Sequence, residues 1–274
     1  KELYKRNFEL AVKNKTLSLL RELYQISILT LDPAALAKKI VNTIQLALGF
    51  ELVGIYTYQP ERDSLLPLAF ASSQPFTNAR ISLHCTFDNV TIEHTVNSFF
   101  FEPIVRGQHV GHASHLSDIW NKEIDKETLQ KLQEQSRVVT TLVFPLSIET
   151  RVLGVLALCL NREYDSLSEF EQESITSFIN VIAVALDKSI LYQQISAANE
   201  KLRELDRQKT EFVSIASHQL RSPLTAIKGY SSMVLENTYG ELTDKLRQPI
   251  QNIFDASQRL VTIIEDFLNV TRIE

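Results

Sequence analysis

The sequence predicts an α+β domain, an antiparallel sheet flanked by helices, joined by a long coiled-coil helix to an all-α helical hairpin that dimerises into a four-helix bundle. Three observations support this prediction. Six of the eight prolines and five of the seven glycines lie between residues 33 and 154, so the middle of the chain is rich in turns. Helical and strand patterns follow one another there without the strict alternation of a parallel sheet. Beyond residue 190 the apolar residues repeat in heptads.

The chain begins with two predicted helices. Residues 1–30 are predicted to form an N-terminal amphipathic helix of coiled-coil character, because apolar residues recur at spacings of three, four or their sums with charges between them. Those apolar positions are Tyr4, Phe8, Ala11, Val12, Leu19, Leu20, Leu23 and Ile26. Asp32 is the predicted N-cap of the second helix, Pro33 takes its first position, and Gly49 ends it after Leu48.

Four short runs that are typical of strands follow. They cover residues 51–58, 65–71, 139–148 and 151–160. Glu149 and Thr150 join the last two in a predicted tight hairpin, although neither is a favoured residue for that turn. One more helix is predicted over residues 125–137, and another begins near Ser166 or Ser168.

The last of these helices is predicted to continue far beyond the α+β domain. Residues 191–212 form a coiled-coil linker, with Lys209 at one core position. From Phe212 the apolar steps become fours, which predicts a stutter where the supercoil unwinds. A turn over residues 238–241, around Gly240, leads to a second helix with heptad spacing. Because Pro249 would lie in its second turn, this helix is predicted to begin near Arg247.

Composition and charge exclude several classes of protein. A net charge of −5 argues against a general nucleic-acid binder. The two cysteines cannot build a disulfide framework, which indicates a reducing, cytoplasmic setting. Apolar runs such as residues 152–160 are too short to predict a membrane segment. The chain starts at Lys1 and stops at Glu274 inside a helical pattern, so we expect a piece of a longer protein.

The segment with the clearest chemistry lies in the first helix of the hairpin, where residues 217–225 read SHQLRSPLT. His218 is two residues from Ala216 and from Leu220 of the apolar seam, so it projects from the flank. An exposed imidazole there is accessible for proton or phosphoryl chemistry. Pro223 cannot donate to the carbonyl of the residue four positions earlier, which predicts a kink at the stutter.

This segment resembles the H-box of sensor histidine kinases of the HisKA type: His, an acidic residue, Leu, Arg, Thr or Ser, Pro, Leu. Arg221, Ser222 and Pro223 match that pattern. The runs AIKGY, GELT and LNVTRIE downstream are also similar to the family, so the resemblance covers residues 205–274. It implies a dimerisation and phosphoacceptor domain. His218 would take the γ-phosphate of ATP on a ring nitrogen and pass it to an aspartate of a response regulator.

Two positions differ from the family pattern. Where the family usually has Glu or Asp, resembling a general base, the chain has Gln219, whose amide cannot take a proton. Where related phosphatases usually have Thr or Asn, the chain has Ser222, whose hydroxyl could substitute. We therefore expect phosphotransfer to be retained with a weakened base step.

Glycines become rare where a nucleotide site would need them. Only Gly229 and Gly240 follow Gly154, so the glycine-rich boxes of an ATP-binding domain cannot be read in the chain. The resemblance therefore implies that ATP is the phosphodonor through a domain that these residues do not include. The chain alone is expected to be inactive as a kinase.

Residues 31–190 resemble a GAF domain in the order of their helices and strands, which implies a small-molecule sensor or a dimerising relay whose ligand is unknown. Cys85 follows His84, the reverse of the usual bilin-attachment order, and buried thiols are the preferred prediction for Cys85 and Cys159. The run from Asn161 to Gln172 resembles a cyclic-nucleotide signature only loosely.

Five of the six histidines lie between residues 84 and 115, and His109, His112 and His115 are spaced by threes. A metal or haem site is one interpretation. Polar loop histidines are the preferred one, because Gly107 and Gly111 favour a loop and a strand would turn the middle histidine away. Trp120, the single tryptophan, is predicted to pack in the core or a lid.

Two functions remain open at this point. The preferred one is the sensor part of a two-component histidine kinase, in which the signal passes along residues 189–212 as a change in helix packing. Its partners would be a second copy, a receiver domain, its own ATP-binding domain and a possible small molecule in the GAF domain. The alternative is a non-catalytic GAF-based dimeric ligand-binding or scaffold module, in which Gln219 marks an inactive transmitter.

Overall fold

A computed structural model describes residues 2–87, 89–120, 122–167 and 169–273 of the protein. Side chains are not described at residues 2–9, 12, 169–171, 174 and 268–273. Lys1, Ser168 and Glu274, each named above at an expected end, therefore lie outside the described residues. The chain divides into two compact units, residues 1–195 and 196–274.

The first unit begins with the two predicted helices, α1 (Glu2–Leu29) and α2 (Pro33–Leu48). Asp32 caps α2, because its carboxylate accepts a hydrogen bond of 2.8 Å from the amide of Ala35. Gly49 ends the helix in the left-handed conformation, with φ at 69°. The cap, the proline and the terminating glycine are all confirmed.

A six-stranded sheet, antiparallel throughout, forms the centre of this unit, with the strand order β3-β2-β1-β6-β5-β4. Its strands are β1 (Leu52–Gln59), β2 (Ser64–Ser72), β3 (Ile92–Glu93), β4 (Gly111–Ala113), β5 (Thr140–Ile148) and β6 (Arg151–Leu160). The four long strands agree with the predicted runs to within one residue at each end. The two edge strands are too short for a sequence period to reveal them.

The hairpin between β5 and β6 turns at the two predicted residues. Glu149 takes the left-handed conformation, with φ at 52°, which a side chain with a Cβ adopts at a cost. The Gln108 amide donates a 3.0 Å hydrogen bond to the Glu149 carbonyl and so supports this turn from a distant loop.

Four helices connect the strands: α3 (Gln74–Ser82), α4 (Glu102–Val105), α5 (Ser117–Trp120) and α6 (Lys126–Ser136). Helix α6 is the one predicted over 125–137. Asp125 is its N-cap, accepting from the amide of Thr128, and Arg137 ends it with φ at 59°. Helices α3 to α5 were not predicted, because they are short and lie among turns.

Alternate residues of the central strands enter two different hydrophobic cores. Leu156 and Leu158 of β6 pack with α1, α2 and the following long helix. Val155 and Ala157 pack with an aromatic cluster under α3 to α6. Because successive side chains of a strand point to opposite faces, both faces of the sheet are covered by a hydrophobic core.

The long helix α7 (Glu169–Leu235) contributes to both units. Between Ile175 and Leu235 it contains the one window of 18 residues, among the described residues, that is apolar enough by length and composition to cross a membrane. The sequence analysis did not find this window, because it considered only uninterrupted runs of apolar residues. Its mean hydropathy is 1.4 and 44% of it is buried. Phe178 and Ile182 belong to the first core, and a core helix meets the same criterion.

The second unit consists of the rest of α7 and helix α8 (Asp244–Ile273), with a turn in which Asn237 and Gly240 have positive φ. The prediction that this helix starts near Arg247 is wrong. The amides of Leu246 and Arg247 both donate to the Thr243 carbonyl, so a helical turn forms before Pro249, which removes a single later hydrogen bond.

The interior of this helical pair contains three buried serines, Ser217, Ser231 and Ser257. The hydroxyl of Ser231 donates to the Ile227 carbonyl, and that of Ser257 donates to the Ile253 carbonyl, both at 2.8 Å. These two hydroxyls are therefore satisfied within their own helices.

Candidate phosphoacceptor site

His218 lies on α7 with its side chain exposed to solvent, next to the buried Ser217. Among the described residues, none forms a hydrogen bond or an ion pair with the imidazole. The imidazole is therefore not held by another side chain of the described part of the chain. The prediction of an accessible flank position agrees with this placement.

Two contacts join α7 to α8 around the histidine. The guanidinium of Arg221, one turn after His218, lies 4.0 Å from the carboxylate of Glu265. Further along, the ammonium of Lys228 lies 5.8 Å from the ring centre of Phe254. Both contacts are partly solvated, so they orient the helices more than they stabilise them. Sequence reasoning named Arg221 but missed Glu265, since spacing alone gives no sign of which α8 residue it meets.

The other residues of the motif follow His218 on the same helix. Gln219 and Ser222 are exposed, and Pro223 lies inside α7, which continues through it to Leu235. The kink at Pro223 stays a prediction. The roles expected for His218 and for its four neighbours in the motif stay predictions. They rest on sequence position and on the chemistry of the side chains.

An apolar stripe on α8 stays partly exposed to solvent. It consists of Leu246, Ile253 and Leu260, which are spaced by sevens and about half exposed. Exposed apolar residues at heptad spacing are typical of a helix that packs against another helix. The second unit therefore presents a surface suited to dimerisation.

Aromatic side chains dominate the core between the sheet and helices α3 to α6. The indole of the buried Trp120 donates a 2.8 Å hydrogen bond to the hydroxyl of the buried Tyr56. Phe87 stands edge-on to Trp120 at 5.1 Å between ring centres. Burial raises the pKa of Tyr56 far above its ordinary value. The core position predicted for Trp120 is confirmed.

One carboxylate near this cluster is incompletely satisfied. Oε2 of Glu123 is buried without a hydrogen-bond partner, and desolvation raises the pKa of this carboxyl group. Sequence reasoning missed Glu123, because an isolated acidic residue in a loop gives no signal of burial.

Both cysteine thiols are buried, as predicted. Burial raises the pKa of Cys159 to about 12, and the thiol lies 3.4 Å from the hydroxyl of Thr141. Burial also raises the pKa of Cys85. Because the thiolate is the nucleophile, neither residue has the features of a reactive thiol in this state.

The three histidines spaced by threes do not lie together on one loop. His112 is on strand β4, where its ring stands at a right angle to Tyr164 with 4.5 Å between centres. The loop prediction is wrong for this residue, because Gly111 to Ala113 pair with β5. Among the described residues no three potential metal ligands cluster. His115 lines an open polar cavity of about 630 Å³ with Asp118, Lys126 and Arg137.

Two family models match the chain. One, described as the GAF domain, matches residues 32–186, more than half of the chain. The other, described as the His Kinase A (phospho-acceptor) domain, matches residues 208–274 and so includes His218. The exact domain boundaries given above stay predictions.

Curated histidine kinases are among the similar proteins. The sensor protein KdpD of Clostridium acetobutylicum is 32% identical over 132 residues, which cover 47% of this chain and 14% of that protein. The circadian input-output histidine kinase CikA of Synechococcus elongatus is 26% identical over 159 residues, covering 52% and 21%. The chain thus spans about a fifth or less of the length of these two relatives.

Solved GAF domains are among the structures to which this chain is similar. The GAF domain of a phosphoenolpyruvate-protein phosphotransferase from Coxiella burnetii gives a TM-score of 0.48 at 11% identity, covering 67% of this chain and 97% of that one. A phycoerythrobilin-bound GAF domain from a cyanobacterial phytochrome gives 0.47 at 16% identity, covering 65% and 97%.

Proposed function

Because the chain belongs to the GAF family and forms the sensor portion of a two-component histidine kinase, we propose that His218 is its phosphoacceptor. The observation that carries this proposal is the exposed imidazole of His218 on α7, without a hydrogen bond from the described residues, inside the segment that matches the phospho-acceptor model. An unshielded ring can meet two large partners in turn: the domain that delivers phosphate and the receiver that removes it.

The chemistry follows from the neutral imidazole. One ring nitrogen has a lone pair and the other carries a proton. The lone pair attacks the γ-phosphorus of ATP, a nitrogen–phosphorus bond forms, the bond from phosphorus to the bridging oxygen breaks, and ADP leaves. The ring is then positively charged until its N–H nitrogen releases the proton. The phosphoramidate is reactive enough to pass the group to an aspartate carboxylate.

The chain's own contribution is to hold the imidazole in position. Arg221 is one turn from His218, and its ion pair with Glu265 joins the two helices at that level. Pro223 leaves the Gln219 carbonyl without its usual amide donor, directly after the histidine. Ser222 presents a hydroxyl at the position from which a related side chain would orient water.

The experiment that tests the proposal is phosphate transfer in trans. The chain is mixed with ATP labelled in the γ-phosphate and with a separately produced ATP-binding domain from a HisKA-type kinase. We expect acid-labile, base-stable label on the chain, and none with ATP alone. Label that survives acid would indicate a hydroxyl acceptor and contradict a histidine acceptor.

Replacing Gln219 by an acid is expected to speed the reaction. A carboxylate beside the imidazole can take the proton that Gln219 cannot, so Gln219→Glu should raise the initial rate of labelling at least about tenfold. Gln194→Glu adds the same charge to an exposed position of the same helix and should leave the rate unchanged. An unchanged rate in Gln219→Glu would contradict a missing base as the limiting feature.

A second function is favoured by the same residue. Gln219 also fits a dimeric scaffold whose transmitter is inactive, with the GAF domain binding a ligand or only joining subunits. The trans assay separates the two functions, since the scaffold acquires no acid-labile label even in Gln219→Glu.

The remaining parts of the proposal concern partners and input. The exposed stripe of α8 fits homodimerisation, and the aspartate of a receiver domain is the expected phosphate acceptor. We place the reaction in a cytoplasmic setting. Input to the GAF unit would reach His218 through the packing of α7, which leaves that unit after residue 195.

A further inference from the structure

The stretch of α7 around His218 contains no acidic residue. Side chains up to four positions apart are the ones that come close on a helix. Around His218 those positions hold Ser214, Ile215, Ala216, Ser217, Gln219, Leu220, Arg221 and Ser222. The phosphorylated ring still has to lose its N–H proton. A carboxylate that takes this proton therefore has to come from outside this stretch of α7.

Two contacts show how α8 runs beside this part of α7. The guanidinium of Arg221 lies 4.0 Å from the carboxylate of Glu265, and the ammonium of Lys228 lies 5.8 Å from the ring centre of Phe254. The later residue of α7 meets the earlier residue of α8, so the two helices are antiparallel. Because both helices rise by about 1.5 Å per residue, a step back along α7 matches an equal step forward along α8.

Counting from these contacts places His218 level with residues 264–268 of α8. The histidine lies three positions before the first α7 contact residue and ten before the second. Three positions beyond Glu265 is residue 268, and ten positions beyond Phe254 is residue 264. The acids in this window are Glu265 and Asp266. The structure therefore brings acidic residues of α8 to the level of the imidazole.

Of these two acids, Glu265 is the one that faces α7. Its contact with Arg221 fixes that direction, and Asp266 is turned by about 100° around the helix. Arg221 shares a flank of α7 with His218, since the two are three positions apart. A separation of 4.0 Å is beyond hydrogen-bond distance, and the Glu265 side chain is 54% exposed. The lone pairs of its carboxylate are therefore open to water.

We propose that Glu265 supplies the carboxylate that position 219 lacks. When the nitrogen–phosphorus bond has formed, the ring N–H proton passes through one water molecule to the Glu265 carboxylate. A neutral phosphoramidate remains, and the neutral carboxyl group returns the proton to solvent. The proposal rests on the proposed function and deepens it. A side chain on the neighbouring helix reaches the ring less directly than one at position 219, so the base step stays weak without being lost.

The test uses the full chain in the trans phosphorylation assay, with initial rates as the measurement. Glu265→Gln should lower the rate at least about fivefold, because an amide of the same size cannot take the proton. Asp266→Asn is the matched control. It removes the same charge from the next residue of α8, which is also exposed, and should leave the rate unchanged.

The Gln219→Glu background separates a proton acceptor from a merely structural residue. With a carboxylate at position 219, the role of Glu265 is already filled, so adding Glu265→Gln should change the rate by less than about twofold. Such non-additivity is expected of two residues that serve one step. If Glu265 only holds Arg221 and the two helices in place, its loss will lower the rate equally in both backgrounds, and the proposal is overturned.

The remaining outcomes distinguish this inference from the proposed function. Equal rates in the unsubstituted chain and in Glu265→Gln overturn the inference and leave the phosphoacceptor in place. A lower rate in Asp266→Asn alone assigns the proton to the wrong acid here and also overturns it. Label only in chains with Gln219→Glu shows that Glu265 supplies no base. No acid-labile label in any chain overturns the proposed function and this inference together.

Discussion

His218→Gln should abolish labelling of the chain in the trans phosphorylation assay, a loss of at least about 100-fold. Removal of a nucleophile eliminates the bond-forming step, and no other group can replace it when the remaining machinery is intact. The glutamine amide has a similar size and keeps a hydrogen-bonding capacity, but its nitrogen lone pair is delocalised and does not attack phosphorus. The measurement is acid-labile label per chain, with initial rates at saturating ATP.

A matched control distinguishes the loss of this particular histidine from the effect of replacing any exposed histidine by glutamine. His115→Gln changes another exposed histidine, in the first unit, and should retain full labelling. Because His218 and His115 are both exposed and the His218 imidazole forms no hydrogen bond or ion pair with the described residues, the stability of the chain should change by less than about 0.5 kcal/mol in either variant. Label that persists in His218→Gln would show that a different residue accepts the phosphate, and the proposed function would then be wrong.

Gly154→Ala should destabilise the GAF unit by at least about 3 kcal/mol, near the upper end for overpacking in a core. Gly154 lies in the central strand β6 opposite Thr57 of β1. A Cβ there would overlap the carbonyl oxygen of Tyr56 and approach the Tyr56 carbonyl carbon to 3.0 Å and the Thr57 Cα to 3.1 Å. All three atoms belong to the backbone of a paired strand, which cannot move without breaking the ladder.

Gly54→Ala is the matched control, because it adds the same atom to a neighbouring strand of the same sheet. Its Cβ would meet the ring of Phe70 at 2.6 Å, and a side chain can turn where a backbone cannot. We expect a smaller loss of stability, on the order of 1 kcal/mol. Urea unfolding followed by the fluorescence of Trp120, the single tryptophan, reports on this unit. Equal losses in both variants would contradict the backbone explanation.

Local sequence signals predicted the parts of the fold that local interactions determine. The Asp32 cap, the Gly49 terminus and the four long strands each depend on a few neighbouring residues. The short strands β3 and β4 depend on pairing with distant strands, so no period reveals them. The start predicted for α8 at Arg247 was wrong for a different reason. Pro249 was expected to exclude the helix from the residues before it, but a helical turn can form before a proline.

The candidate site shows the same division between residues that the sequence predicted and residues that it did not. His218 and its neighbours were found because they form a contiguous motif on one helix. Glu265, which meets Arg221, is 44 residues away along the chain and carries no pattern of its own. The buried carboxylate of Glu123 and the bond from Trp120 to Tyr56 likewise depend on tertiary contacts, which a single sequence does not encode in a readable way.

The buried serines of the helical hairpin also bear on how fast the second unit can change state. Ser231 and Ser257 direct their hydroxyl protons to carbonyls of their own helices. A rotation of α7 against α8 therefore breaks neither of these bonds, and small side chains present little steric obstacle to it. These two hydroxyls therefore add no barrier of their own to such a rotation, whereas the contacts of Arg221 with Glu265 and of Lys228 with Phe254 would have to break.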